Sequence, residues 1–393
     1  MNKKTFVVIL LVIFLVSYGI SIVTPLIPIY MREMGASGFI LGAIFSGFSF
    51  SRLVFMPIIG KLSDKNGRKV FIVTGLGGYT VISLLYVIAK TPLQLVLIRV
   101  FHGFFSAMVF PVVMAYVGDR TTKGREGRTM GTLNSAVFMG MAGGPLLGGV
   151  VKDIFDMKHV FYLMTAMVGI GMLLTLFFLP EHRDIRMEKS CELAEDGGNV
   201  FSLYLKAMKD RIVLGIFLFR MSYAMLRASL LSFLPVFASN LSFSSSEIGV
   251  LVSLNVVFSA LFQRTFGKFA DRHNRYRMVL FGMLLGAVFV MVLPFLGNKM
   301  LLFIVSALLG LTGAVSIPAA TAIVVKVGSK YGMGFSMGLF NMAMSLGMII
   351  APLFLGFIMD LLRVDYVFII SGIITFLMAG AYFFMLRKEL TRR

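Results

Sequence analysis

The chain has no tryptophan, one cysteine, four histidines, and only 18 acidic residues against 37 lysines and arginines in 393 positions. A single cysteine, Cys191, excludes an intramolecular disulfide. Four scattered histidines give no cluster with metal-ligand spacing, so no metal is expected. A Gly-rich phosphate loop ending in Lys-Ser or Lys-Thr is missing, which argues against direct use of ATP. No Ser/His/Asp arrangement has a recognisable setting. These gaps point away from an enzyme and away from any bound cofactor. Charge is scarce altogether: charged residues make up 14% of the chain and hydrophobic ones 58%, and the mean hydropathy is +0.91. No water-soluble globular surface sustains that balance.

What is there is apolar and helical in pattern. About twelve apolar runs of roughly 20 residues lie between the charged punctuation, each long enough to cross a hydrocarbon core as a helix. β-barrel alternation is absent. The formal net charge of +19 invites a nucleic-acid reading, but Lys and Arg fall between alternate runs, where positive-inside topology places them. The expectation is an all-α, multi-pass protein of the cell membrane with both termini cytoplasmic and no nucleic-acid partner. The run after Lys3 and Lys4 lacks a cleavage site and continues into Pro25 and Pro28, so it is read as the first span.

The chain also repeats itself. The decapeptide beginning Gly60-Lys61-Leu62-Ser63-Asp64 recurs as Gly267-Lys268-Phe269-Ala270-Asp271, 207 residues on. The same offset carries Pro28 to Pro235, Gly42 to Gly249, Gly103 to Gly310, Pro145 to Pro352 and Asp153 to Asp360. Leu or Val in register would mean little here, whereas Gly, Pro and Asp do special backbone or electrostatic work. A tandem duplication follows: a six-helix half over 1–180, a cytoplasmic linker over 181–210 and a second six-helix half over 211–393. Spans near 5–30 and 38–60 flank the first short outer turn, and span 2 ends where the decapeptide begins. Inner loops 2–3, 4–5, 8–9 and 10–11 are basic. Outer turns carry few bases, partly balanced by Asp153, Asp156, Asp360 and Asp365.

Four motifs in order resemble the major facilitator superfamily over essentially the whole length. They are Gly60-x-Leu62-Ser63-Asp64-Lys65-x-Gly67-Arg68-Lys69 between spans 2 and 3, and Arg99-x-x-His102-Gly103 in span 4. Pro25-Leu26-Ile27-Pro28 closes span 1, and Gly140-x-x-x-Gly144-Pro145-x-x-Gly148-Gly149 lies in span 5. The first is similar to the signature of the whole family, the third to its drug-exporter branches and the fourth to its antiporter subfamilies, so the chain resembles the drug/metabolite:proton antiporter branch. The second departs from the usual pattern, with His102 where Gln is common. The resemblance implies two pseudo-symmetric six-helix halves that alternately expose a central site, and a monomer.

The resemblance assigns the loops to gating: Gly60, Asp64, Gly67 and Arg68 in the first copy, Gly267, Asp271 and Arg275 in the second. A carboxylate there can face a helix N-terminus, a contact of roughly 0.3–2 kcal/mol. Asp64 is expected to meet the start of span 11 near 332–336, and Asp271 the start of span 5 near Arg128. Gly140, Gly144 and Gly148 share one helix face, where backbones approach closely, and Pro145 permits a bend. Together they suit a seal between the halves, though ordinary small-residue packing explains them as well.

Charges inside the spans mark the transport path. Arg52, Arg99, Arg220 and Arg227 lie in apolar runs, where an arginine costs about 2.5–3.5 kcal/mol unless it finds water or a partner. No Asp or Glu lies deep in any span. Arg99 is either a structural ligand of backbone carbonyls or part of coupling, and His102, one turn away, is either a packed neutral side chain or the group that carries the coupling proton. Arg52 and Arg227 are the candidates for direct substrate contact, while Arg220 and Arg264 are expected to snorkel or pair at helix ends. Tyr223, Asn134, Asn255 and Asn341 either line the cavity or join helices. With 29 Met and 39 Phe the lining suits lipophilic cargo. The expected function is export of a lipophilic or anionic small molecule, with the proton as coupling ion. An importer or facilitator of an anionic metabolite, or a flippase for an anionic lipid, remains the alternative, with membrane lipids the other expected partner.

Overall fold

A computed structural model describes residues 2–121, 126–180, 207–331 and 333–391, with backbone alone at 126–128, 329–331 and 333–334. Cys191, most of the expected linker and Gly332 lie outside the described residues, as does the side chain of Arg128, so the expected partners of Asp64 and Asp271 fall largely there. The described elements are helical. They are α1 (Lys3–Val23), α2 (Ile27–Glu33), α3 (Gly38–Asn66), α4 (Arg68–Ile88), α5 (Pro92–Asp119), α6 (Glu126–Ile154) and α7 (Met157–Phe178) in the first half. In the second half they are α8 (Arg211–Ala228), α9 (Leu234–Asn240), α10 (Ser245–Arg272), α11 (Arg275–Val292), α12 (Lys299–Tyr331), α13 (Met333–Leu361) and α14 (Val364–Thr391). Among the described residues, twelve stretches are long and apolar enough to span a bilayer, α1 with α2 and α8 with α9 each counting as one.

Local chemistry sets the breaks. Pro25 lies in the turn between α1 and α2, and Pro28 sits in the first turn of α2, where a missing N–H costs nothing. The repeat copy reaches the same bend differently, through a π-helical turn at Ser229–Phe233 ahead of Pro235. Ser37 caps α3, Thr91 and Gln94 form a reciprocal capping box on α5, and Asp156 caps α7 through the His159 N–H at 3.0 Å.

The first basic decapeptide is not a ten-residue turn. Helix α3 continues through Lys61–Asn66, because every residue there accepts helical geometry, and stops only at Gly67, whose φ of +96° an L side chain rarely adopts. Helix α4 begins at the next residue. In the second copy Asn274 takes that place with φ −66°, its side chain accepting from the N–H groups of Tyr276 and Arg277 at 3.0 and 3.2 Å.

Two compact groups result, and they depart from the expected halves. Among the described residues, one comprises 2–121 and 126–180 with 230–257 and 352–364; the other comprises 207–229, 258–331, 333–351 and 365–391. In the first, α1 packs on α6 and α7, α3 on α5, and α4 on α5 and α7, around Ile13, Val16, Leu76, Val109, Val112 and Tyr116. In the second, α11 packs on α12 and α8 on both, around Phe219, Val279, Ala319, Ile323 and Tyr382. Large apolar side chains such as Phe177 and Phe384 stand 73% and 76% exposed, as lipid-facing helices require. The departure arises at the end of the first group away from Lys3, called distal below, where glycine contacts draw in parts of α10 and α13 and where α9 packs on α2.

Candidate functional site

The distal contact is built twice from the same parts. A Cβ on Gly42 of α3 would strike the carbonyl of Pro352 in α13, and one on Gly249 of α10 would strike the carbonyl of Pro145 in α6. One turn away, Gly356 abuts the Gly38 carbonyl and Gly149 the Ser245 carbonyl. Each pair is the other shifted by the repeat offset. This corrects the expected role of the span 5 glycines. Gly140, Gly144 and Gly148 face α1 of their own half, with the Ser21 hydroxyl donating to the Gly140 carbonyl at 3.0 Å. Their four-residue spacing matches the ridge of α1, while Gly149 and Pro145 lie on the next face and meet α10.

Carboxylates bind the same junction. Asp153 accepts from the N–H groups of Ser245 and Ser246 at 2.9 and 2.7 Å and from the Ser246 hydroxyl. Asp360 accepts from the N–H groups of Gly38 and Phe39, the latter at 2.8 Å. Lys152 adds an ion pair to Glu33 at 2.8 Å. From the sequence alone these aspartates read as charge balance in the outer turns. Their shared register, with partners also 207 residues apart, was the available signal.

A second constellation lies within α3, α4 and α5. Arg99 is 4% exposed and His102 fully buried. The His102 Nδ1 lies 3.3 Å from Arg99 Nη1 and 3.2 Å from the Tyr86 hydroxyl. A guanidinium only donates, so Nδ1 is the acceptor and the neutral ring carries its proton on Nε2. Nε2 has no hydrogen-bond partner among the described residues. Phe48 serves two cations, with Arg99 4.8 Å and Arg52 5.7 Å from its centroid, and Tyr79 and Phe48 meet the imidazole edge-on at 4.5 and 5.5 Å. Aromatic faces and an imidazole thus do for these arginines what a carboxylate does elsewhere. The register positions of Arg52, Arg99 and His102 in the second half are Ser259, Ser306 and Leu309, so the cluster has no second copy. Tyr79 and Tyr86 were missed because a tyrosine in an apolar run reads as packing.

The second group holds Arg220 and Tyr223 on α8. Arg220 lies 4.3 Å from the Phe340 ring and 5.7 Å from that of Tyr223, and its Nε is buried without a partner among the described residues. It does not snorkel, in contrast to the expectation, because Phe340 of α13 covers it at mid-helix. Phe340 also lines a small apolar pocket with Val213, Ile216, Phe217, Val324 and Leu339. Arg227, one heptad from Arg220 on the same helix face, is half-buried, and Arg264 is exposed. Asn255 is half-buried, and Asn134 and Asn341 are exposed. Each of the latter two lies three turns from the proline of the distal contact in its helix, on the face that carries Pro145 or Pro352.

The loops at the ends of α3 and α10 opposite the distal contact, called proximal below, differ in wiring. Arg68 bridges Asp64 at 2.8 Å and Asp119 at 2.5 Å. In the second copy Arg275 stands 3.6 Å from Asp271 and donates to the Ala270 carbonyl at 3.1 Å. Lys326 occupies the register position of Asp119. Asn274 and Arg277 instead donate to the carbonyls of Glu389 and Leu390 near the end of α14, at 2.9 and 2.6 Å. No group of His, Cys, Asp and Glu that could hold a metal occurs among the described residues.

Known proteins give this geometry a setting. An uncharacterized MFS-type transporter of Methanocaldococcus jannaschii is 30% identical over 389 residues, covering 95% of this chain and 98% of that one. Multidrug resistance protein 2 of Bacillus subtilis is 25% identical over 393 residues, covering 99% and 96%. Among solved structures, a bacterial homolog of the human lysosomal transporter Spinster superposes with a TM-score of 0.81 at 14% identity, covering 99% and 98%. The human organic anion transporter MFSD10 does so at 0.67 and 17%, covering 97% and 100%. The Major Facilitator Superfamily pattern matches residues 9–239 and 212–393, and the chain belongs to that superfamily of membrane transporters.

Proposed function

We propose that this transporter exports a lipophilic organic anion from the cytoplasm in exchange for protons, with the distal end facing outward. The carrying observation is a surplus of mid-span cations. Arg52, Arg99, Arg220 and Arg227 sit within helices whose acidic residues, among those described, all lie at helix ends. π-Faces lie beside Arg52, Arg99 and Arg220 but leave their charge unneutralised, and a cargo anion supplies the counter-charge at the moment of binding. The abundance of Met and Phe in the chain suits its lipophilic body. Multidrug efflux relatives support the direction, and basic residues at the proximal loops support the orientation.

His102 is the coupling candidate under this reading. A proton gained at Nδ1 faces the Arg99 guanidinium, so protonation requires Arg99 to withdraw, and cargo drawing Arg99 away would permit it. The test uses inside-out vesicles with an acidic lumen and matched lipophilic anions and cations. Anion uptake that collapses with the pH gradient is expected. Arg52→Gln and Arg227→Gln should each lower anion uptake about tenfold, the loss of one charge-assisted hydrogen bond. Cation-selective uptake would overturn the substrate class, net anion movement in the import direction would overturn the export direction, and gradient-driven transport retained in His102→Gln would remove His102 from the coupling step.

A further inference from the structure

Asp153 and Asp360 each bind the first two N–H groups of a helix from the opposite sequence half: Ser245 and Ser246 of α10, Gly38 and Phe39 of α3. The first N–H groups of any helix lack intrahelical partners. Both helices, however, already carry caps of their own. The Ser37 hydroxyl accepts from the Ile40 N–H at 3.3 Å, and the Ser244 hydroxyl accepts from the Glu247 N–H at 3.2 Å while Glu247 returns a bond to the Ser244 N–H at 2.8 Å. Local caps hold the third position, so neither α3 nor α10 depends on a distant aspartate to stay helical. What the aspartates add is a charge-assisted tie between halves, at the site where glycines and prolines bring backbones into contact.

We infer that Asp153 and Asp360 are a matched pair of positioning residues that hold the distal side shut, and that both ties break whenever that side opens. The inference rests on the alternating-access reading but not on the identity or charge of the cargo. The two ties occupy the same register of the repeat, and Asp153 has one further bond, from the Ser246 hydroxyl, so its share is the larger. Opening leaves four N–H groups and two carboxylates to water, which can solvate all of them, so the ties are reversible.

The test reads accessibility, not transport. Ser253 is 2% exposed, lies one turn inward of Gly249 on the same helix face, and reports opening when made Ser253→Cys in a Cys191→Ser background. Right-side-out vesicles are labelled with a membrane-impermeant maleimide. Asp153→Asn and Asp360→Asn should each raise the labelling rate on the order of tenfold, and the double variant by about the product. Labelling at Asn134→Cys from the opposite side should fall in step, a reciprocity that simple destabilisation does not produce. Elution of each variant as a monodisperse peak excludes misfolding, and Asp153→Glu should restore part of the closure. Gly42→Leu serves as a control, because its side chain blocks the Pro352 contact whatever the aspartates do. If Gly42→Leu raises labelling and the Asn variants do not, the latch is wrong and alternation stands. If neither changes labelling, alternation itself fails.

Discussion

The two ends of this duplicated chain have fared differently. At the distal end the copies match part for part: Gly42 against Pro352 and Gly249 against Pro145, Asp360 on Gly38 and Asp153 on Ser245. At the proximal end they do not. A left-handed glycine faces a capping asparagine across the repeat, Asp119 faces Lys326, and an arginine with two carboxylate partners faces one with a long ion pair and a single carbonyl. Backbone contact explains the contrast. A contact of glycine on carbonyl admits only glycine on the side facing the carbonyl, whereas a solvated loop reaches adequate stability with several chemistries.

The contrast can be broken or sharpened by substitution. The largest effect is expected at the seal, where Gly42→Val and Gly249→Val force a side chain into a facing backbone that cannot move aside. Overpacking of this kind costs roughly 1–3 kcal/mol or more. Both should abolish transport to a similar extent, and a marked inequality between them would dissolve the claimed symmetry.

Next come the loop positions that differ. Gly67→Val places a side chain at φ +96° and should lower stability by about 1–2 kcal/mol in a detergent melt. Asn274→Ala loses a cap and should cost about 1 kcal/mol, and Asn274→Gly only a few tenths. Equal costs for Gly67 and Asn274 variants would mean the two turns are interchangeable after all.

Smaller again is the loop arginine. Arg68→Ala removes two partly exposed ion pairs worth about 0.2–1 kcal/mol each, while Arg275→Ala should be close to neutral, given a 3.6 Å separation from an exposed partner. A melt in which both variants match the parent would show the first network to be slack.

The smallest effect belongs to the α7 cap. The N–H of His159, chiefly, and its side chain hold the Asp156 carboxyl below the usual carboxylate range. A depressed native value adds stability at pH above the unfolded value, and that stability is lost as pH falls through the native one. Its contribution is therefore intact at neutral pH and fades only in acid. Asp156→Asn, which keeps a capping oxygen but not the charge, should lower the neutral melt only slightly and flatten its acid limb.

Much of this architecture was legible in advance, and the reasons are physical. Hydropathy marks spans because lipid tolerates few alternatives, and glycine and proline in register expose the duplication because few residues replace them. The loop at Gly67 was placed but its helical approach was not, since Lys61–Asn66 are polar and helix-compatible at once. The roles of Asp153 and Asp360 escaped because a carboxylate at a span end has the same appearance whether it meets water or a helix hundreds of residues away. Arg220 was misjudged for a similar reason, as only a neighbour such as Phe340 decides whether a long cation reaches the interface. The Arg99–His102–Tyr86 triangle joins α4 to α5, and its geometry depends on how those helices cross.

The glycine-on-carbonyl junction has one more consequence. Surfaces that mate backbone to backbone carry no long side chains to bend and fill a partial gap, so the distal barrier should behave as all-or-none, either tight to ions or fully parted. A carrier built this way can pass a bulky cargo through a wide opening without leaking small ions between turnovers.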